Sequence, residues 1–180
     1  MDQNISVEKL LPITWTSTSK DYTVIVSESC LREIIQMARK HQPNEVGTSL
    51  VGRYSEDGFT AFVEKLAPLA PDSKGARAAF HRGVVGLKEF FSQLWKSTHP
   101  ELHYVGEWHS HPNGPASPSS RDDHTQTAIA NDSKTDCPEG ILLILGGDLQ
   151  RLPTLGVFVH SRHRGRIDLR PATSGLSPRV

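Results

Sequence analysis

His109-Ser110-His111-Pro112 sets two imidazoles two positions apart at the end of a run, His103 to Trp108, that reads as a strand. Side chains two apart on a strand project from one face, so both rings can reach a single ion from a rigid base. Pro112 ends that strand. Asp122 follows in the first turn of a polar helix read over Ser119 to Asn131, after a loop long enough to fold back and bring its carboxylate over the histidine pair. Two imidazoles and one carboxylate form the three-ligand set of a catalytic zinc with an open fourth position. No thiolate joins them, which sets aside a Cys-rich structural zinc.

Zinc brings the pKa of water down to about 7 in such sites, and a nearby carboxylate then has to carry the proton to a leaving amine. Glu45 is the best-placed candidate, after Pro43-Asn44 and just before Gly47-Thr48-Ser49-Leu50-Val51-Gly52. Ser119, three residues before Asp122, shares a helix face with it. Its hydroxyl is the expected donor to a developing oxyanion. Of the neighbours, Asp123 reads as solvated or as support for the ligands, His124 as a surface residue, and Trp108 as core. Glu107, two before His109 on the same face, either orients a ligand or, the reading preferred here, pairs with a basic residue.

The elements that must position these residues follow from periodicity. Tyr22 to Val26 alternates as a strand. Ser27 or Ser29 caps a helix to about His41, with Leu31, Ile34, Ile35 and Ala38 as its apolar stripe. Thr48 to Tyr54 and Phe59 to Leu66 form a hairpin across Glu56-Asp57-Gly58. Residues 67–82 read as a loop. A helix is expected over Val84 to Ser97, its stripe including Leu87, Phe91, Leu94 and Trp95. Ile141 to Leu145 is a continuous apolar run suited to a buried central strand. Thr154 to His160 and Ile167 to Leu169 are further strands. Residues 1–20 read as a flexible arm, 21–170 as the domain, and 171–180 as a disordered tail. The mixture without a strict βα alternation predicts an α/β class, as an α+β domain or a three-layer α/β/α domain.

Composition narrows the partners. Twenty basic and twenty acidic residues among 180 cancel, which argues against a dedicated nucleic-acid or anionic-membrane binder. No run of about 18 apolar residues is present to span a bilayer. Met1 to Lys20 lacks the pattern of a signal or transit peptide. Cys30 and Cys137 stand apart, without a CxxC pair, as expected in a reducing cytoplasm.

Glu45, His109-Ser110-His111-Pro112 and Ser119-Ser120-Arg121-Asp122 together resemble the signature of the JAMM (JAB/MPN) metalloenzyme family: Glu, then His-x-His, seven residues, Ser, two residues and Asp. One departure is mild: the family often has two glycines soon after the Glu, and here Thr48 follows Gly47. The resemblance implies a cytidine-deaminase-like three-layer domain, a mixed sheet flanked by helices. It implies one Zn2+ held by His109, His111 and Asp122, Glu45 as general acid and base, and Ser119 as oxyanion donor. Gly106-Glu107-Trp108-His109-Ser110-His111-Pro112-Asn113-Gly114 resembles the bacterial JAB branch, encoded beside E1- and E2-like enzymes. That likeness implies a cytoplasmic isopeptidase or peptidase that cuts after the C-terminus of a ubiquitin-like or otherwise conjugated protein with an extended tail. Its implied setting is anti-phage operons of the CBASS kind, where it reverses conjugation of a cyclic-oligonucleotide synthase; the loops 67–82 and 131–139 are the implied substrate contacts. A sulfur-carrier or ubiquitin-like processing peptidase and a metal-free MPN scaffold are the alternatives. Zinc deamination is set aside, since Asp136-Cys137-Pro138-Glu139 lacks the second Cys that it needs.

Overall fold

A computed structural model describes residues 13–19, 21–97 and 101–172. In chain order the elements are β1 (Thr14–Ser17), β2 (Thr23–Val26), α1 (Glu28–His41), β3 (Gly47–Tyr54), β4 (Thr60–Leu66), β5 (Lys74–Ala76) and β6 (Ala79–His81). They continue with α2 (Leu87–Lys96), β7 (His103–Pro112), α3 (Ser120–Asn131), β8 (Glu139–Asp148), β9 (Leu152–Ser161) and β10 (Gly165–Pro171). The main sheet runs β1-β10-β9-β8-β7-β3-β4-β2 and closes where β1 pairs with β2. It is mixed: β7–β8 and β2–β4 are parallel and the remaining pairs antiparallel.

The α/β class with a mixed sheet is as expected, and the layers explain the apolar run in β8. Ile141, Leu143 and Leu145 face a core shared with Cys30, Leu31, Ile34, Ile35 and Ala38 of α1. Leu142 and Ile144 face the other way and pack with Phe158, on strands against which α3 lies. A strand covered on both faces has no polar position to alternate. α1 begins where Ser27 accepts the Cys30 N–H, which makes Ser27, not Ser29, the cap.

Three expectations are corrected. Residues 13–19 are not part of a flexible arm: β1 completes the sheet, with Trp15 and Ser17 buried. Such a short strand has no pattern of its own and forms only because β10 and β2 offer backbone partners on both sides. Residues 1–12 of that arm, and 173–180 of the tail, lie outside the described residues; Pro171 ends β10. Second, the expected loop 67–82 contains the two-stranded ribbon β5–β6. Third, α2 starts at Leu87, not Val84, because the Asp72 carboxylate accepts the N–H groups of Val84 and Val85 and draws them into a turn. Trp95, read as part of the buried stripe, is 65% exposed; Leu87 is the residue of α2 that is fully buried. No helix among the described residues is long and apolar enough to cross a membrane.

Candidate metal centre

β7 lies inside the sheet between β3 and β8, which fixes its backbone on both sides. His109 and His111 leave its C-terminal end on one face, their Nε2 atoms 3.0 Å apart. The loop after Pro112 returns the chain to the Ser119 cap of α3, whose third residue is Asp122. Asp122 Oδ1 stands 3.4 Å from His109 Nε2 and Oδ2 stands 3.7 Å from His111 Nε2. One potential ligand atom from each of the three residues lies within 4.8 Å of the others. Bonds of about 2.0–2.1 Å in a tetrahedral site separate ligand atoms by about 3.3 Å. The observed separations bracket that value, so the donor set fits one ion.

The groups behind the ligands prepare them. His111 Nδ1 lies 3.0 Å from the Pro115 carbonyl, to which it can only donate, and this leaves Nε2 with its lone pair for a metal. Asp122 Oδ2 accepts from the Ser119 backbone N–H and from the Ser119 hydroxyl, both at 2.7 Å, while Ser119 Oγ accepts the Asp122 N–H. This reciprocal capping box locks the carboxylate to the helix start. Burial raises the pKa of the Asp122 carboxyl, but hydrogen bonds from His109 and Ser119 and the charge of His109 prevail and hold it well below the usual range. The hydroxyl of Ser119 directs its one proton at Asp122.

Glu45 is buried, with Oε1 4.0 Å from His111 Nε2, beside the three ligand residues but not among them. Burial pushes its carboxyl pKa up, against the opposing pull of His111 and His109. Two contacts fix its backbone. Ser110, between the two histidines, donates its N–H to the Val46 carbonyl at 2.8 Å and accepts the Val46 N–H on its hydroxyl at 3.1 Å. Gly47 lets β3 approach: a Cβ there would fall 2.7 Å from His109 Cβ and clash with the Trp108 carbonyl. From the other side, Glu45 donates its N–H to the Ala76 carbonyl of the ribbon at 2.8 Å. Gly75 has no room for a Cβ against the Glu45 carbonyl oxygen.

Glu107 pairs with a basic residue, as expected, and the partner is Arg82, 3.2 Å away. Tyr104 and Ser49 donate to the same carboxylate, at 2.8 and 3.3 Å. Trp108 is core, its Nε1–H donating to Thr48 Oγ1 at 2.9 Å, so the residue that follows Gly47 has its own task. Asp123 is more constrained than a solvated carboxylate: Oδ1 meets the buried His160 Nε2 at 3.0 Å and Oδ2 meets Arg166 at 2.6 Å. His124 is exposed. Burial raises the thiol pKa of Cys30 to about 12 and that of Cys137 to about 11, which leaves both protonated at neutral pH. Sequence reasoning did not find Ser110, Gly75, Arg82 or His160. For Ser110 the signal was its position inside the His-x-His; the other three carry none, because their partners are distant in the chain.

Comparison with known proteins adds to this geometry. A family profile described as prokaryotic homologs of the JAB domain matches residues 27–158. A protein of Enterobacter hormaechei subsp. hoffmannii (strain UCI 50) named CD-NTase/cGAS isopeptidase is 37% identical over 158 residues, 88% of this chain and 86% of that relative. The solution structure of a Desulfitobacterium hafniense protein aligns at 24% identity with a TM-score of 0.55, covering 81% of this chain and 88% of that one, and speaks for the fold alone.

Proposed function

The chain belongs to the family of prokaryotic JAB-domain homologs, and from that premise we propose that it is a zinc-dependent isopeptidase that releases a protein conjugated through its C-terminus. The observation that carries this reading is the meeting of His109, His111 and Asp122 around one point with Glu45 4.0 Å from His111. The name of the Enterobacter relative, CD-NTase/cGAS isopeptidase, supports a conjugated synthase as the substrate class; the E1- and E2-like enzymes that would join it to its targets, and a bacterial anti-phage setting, are part of the proposal. We assign the activity to the bacterial cytoplasm, where such conjugation takes place.

His109, His111 and Asp122 would hold the ion. Zinc, when bound, supplies Lewis acidity that makes water a competent nucleophile at neutral pH and polarises the scissile carbonyl. Glu45 accepts the proton of the attacking water and returns it to the departing amine. Its position beside the ligand residues, 4.0 Å from His111, suits both halves of that task. Ser119 holds Asp122 in place through the capping box and turns its hydroxyl toward the oxyanion during turnover. An extended tail lies in the cleft between the β5–β6 ribbon and α3, where Phe80, His109 and Gln126 line a cavity of about 510 Å³.

The test uses a synthase conjugate or a C-terminal fusion as substrate, with metal content read by mass spectrometry. The parent is expected to carry one zinc per chain and to cleave. Glu45→Gln is expected to keep zinc and lose cleavage by about a hundredfold or more. A parent without stoichiometric zinc, or a Glu45→Gln variant as active as the parent, refutes the reading.

A further inference from the structure

Three buried polar side chains line the cleft between the β5–β6 ribbon and α3: Glu107, His109 and Gln126. Two of them are engaged. Glu107 is held by Arg82, Tyr104 and Ser49, and His109 belongs to the metal centre. Gln126 is 5% exposed, and its Oε1 is enclosed without a hydrogen-bond partner among the described residues. Its Nε2 is not among the enclosed atoms and is the end of the amide that the cleft reaches. That orientation is the less costly of the two, because an under-satisfied carbonyl is better tolerated than an orphaned N–H. An apolar side chain of the same shape would leave no polar atom unpaired in that wall. The amide therefore points to a partner that enters the cleft, and the partner has to be an acceptor.

The helix fixes where that partner stands. Asp122, Gln126 and Ile129 line the cleft from one face of α3, at intervals of four and three residues. Four residues of helix rise about 6 Å, and an extended chain covers about 3.3 Å per residue. A tail that has its reacting carbonyl at the metal centre and runs along this face brings the carbonyl about two residues earlier level with Gln126. We propose, on the peptidase reading above, that Gln126 positions the substrate tail by donating from Nε2 to this main-chain carbonyl. Such a contact reads the backbone and is indifferent to the side chain at that position, which suits an extended tail. One neutral hydrogen bond of this kind is worth about two- to tenfold.

The probe is a synthetic peptide with the C-terminal segment of a CD-NTase, joined by its last carbonyl to the ε-amine of a lysine. A series of such peptides carries a thioamide, whose sulfur is a weak acceptor, at one link at a time before the reacting carbonyl. The parent is expected to lose about two- to tenfold in kcat/KM when the thioamide stands about two residues before the reacting carbonyl. Gln126→Met, which removes the donor, and Gln126→Glu, which replaces it by an acceptor, should each cleave the all-oxygen peptide more slowly by a similar factor. Both should keep one zinc per chain, and both should be insensitive to the thioamide at that link. A merely structural Gln126 would lower Tm and leave the thioamide penalty at every link as it is in the parent. A parent indifferent to the thioamide at every link overturns this inference and leaves the peptidase reading standing. So does a penalty at that link that persists in either variant. Failure of the zinc-loaded parent to cleave even the all-oxygen peptide overturns both.

Discussion

Replacing Arg82 by alanine isolates the contact that fastens the ribbon to the floor of the cleft. Glu107 is 6% exposed and keeps its carboxylate among Arg82 Nε at 3.2 Å, the Tyr104 hydroxyl at 2.8 Å and the Ser49 hydroxyl at 3.3 Å. Removing one partner of a fully buried ion pair destabilises by about 3–5 kcal/mol. The Arg82 side chain is 31% exposed, and two hydroxyl donors stay behind, so about 2 kcal/mol is expected. In a domain of this size that lowers Tm by about 4–8 °C. The loss must depend on pH in one direction. Burial raises the Glu107 pKa and Arg82 opposes it, so the variant's carboxyl lies higher still than the parent's. A carboxyl raised above its unfolded value contributes stability that is complete below the unfolded pKa and is lost as pH rises through the folded one. The deficit of Arg82→Ala should therefore be largest at neutral pH and shrink on acidification, and Glu107→Gln added to it should restore most of the loss. Thermal melts of parent, single and double variants at several pH values provide the assay. An unchanged Tm, or a deficit that grows as pH falls, refutes the assignment of a buried, charge-compensated Glu107.

Three further outcomes are expected. Gly75→Ala forces the ribbon away from the Glu45 carbonyl, so it should lower kcat several-fold while one zinc per chain remains bound; unchanged kcat would show that the ribbon does not position Glu45. Burial lowers the pKa of His160, with Asp123 opposing; stability held above the ordinary histidine pKa should be lost as pH falls from there through the lower native value, with a slope of up to about 1.4 kcal/mol per pH unit. Urea melts should find that slope reduced in His160→Asn relative to the parent, and identical slopes would contradict it. Chelation should lower Tm, zinc at about a hundredfold over its Kd should restore about 2.7 kcal/mol, and magnesium should not, because two imidazoles suit zinc; a His109→Ala variant that still shows the zinc-dependent shift would count against the ligand set.

What the sequence by itself determined is what local rules can carry. The stripe of Leu31, Ile34, Ile35 and Ala38 marks α1, the apolar run around Leu143 marks a strand covered on both faces, and Ser119 with Asp122 three residues later marks a helix start. The strand period of two put His109 and His111 on one face before any fold was known. These depend on residues within a turn or a strand pair of one another, and the chain writes them directly. The tertiary structure alone decided the rest. β1 exists because β10 and β2 complete its hydrogen bonds, and the ribbon β5–β6 exists where Ala76 meets Glu45 and Arg82 meets Glu107. Trp95 has a helical phase that suggests burial, yet no layer among the described residues covers it. The 4.0 Å between Glu45 and His111 spans sixty-six positions of chain. Periodicity reports which side of an element is apolar; which distant backbone or charge will meet it is fixed only when the sheet closes and every buried polar group has to find its partner.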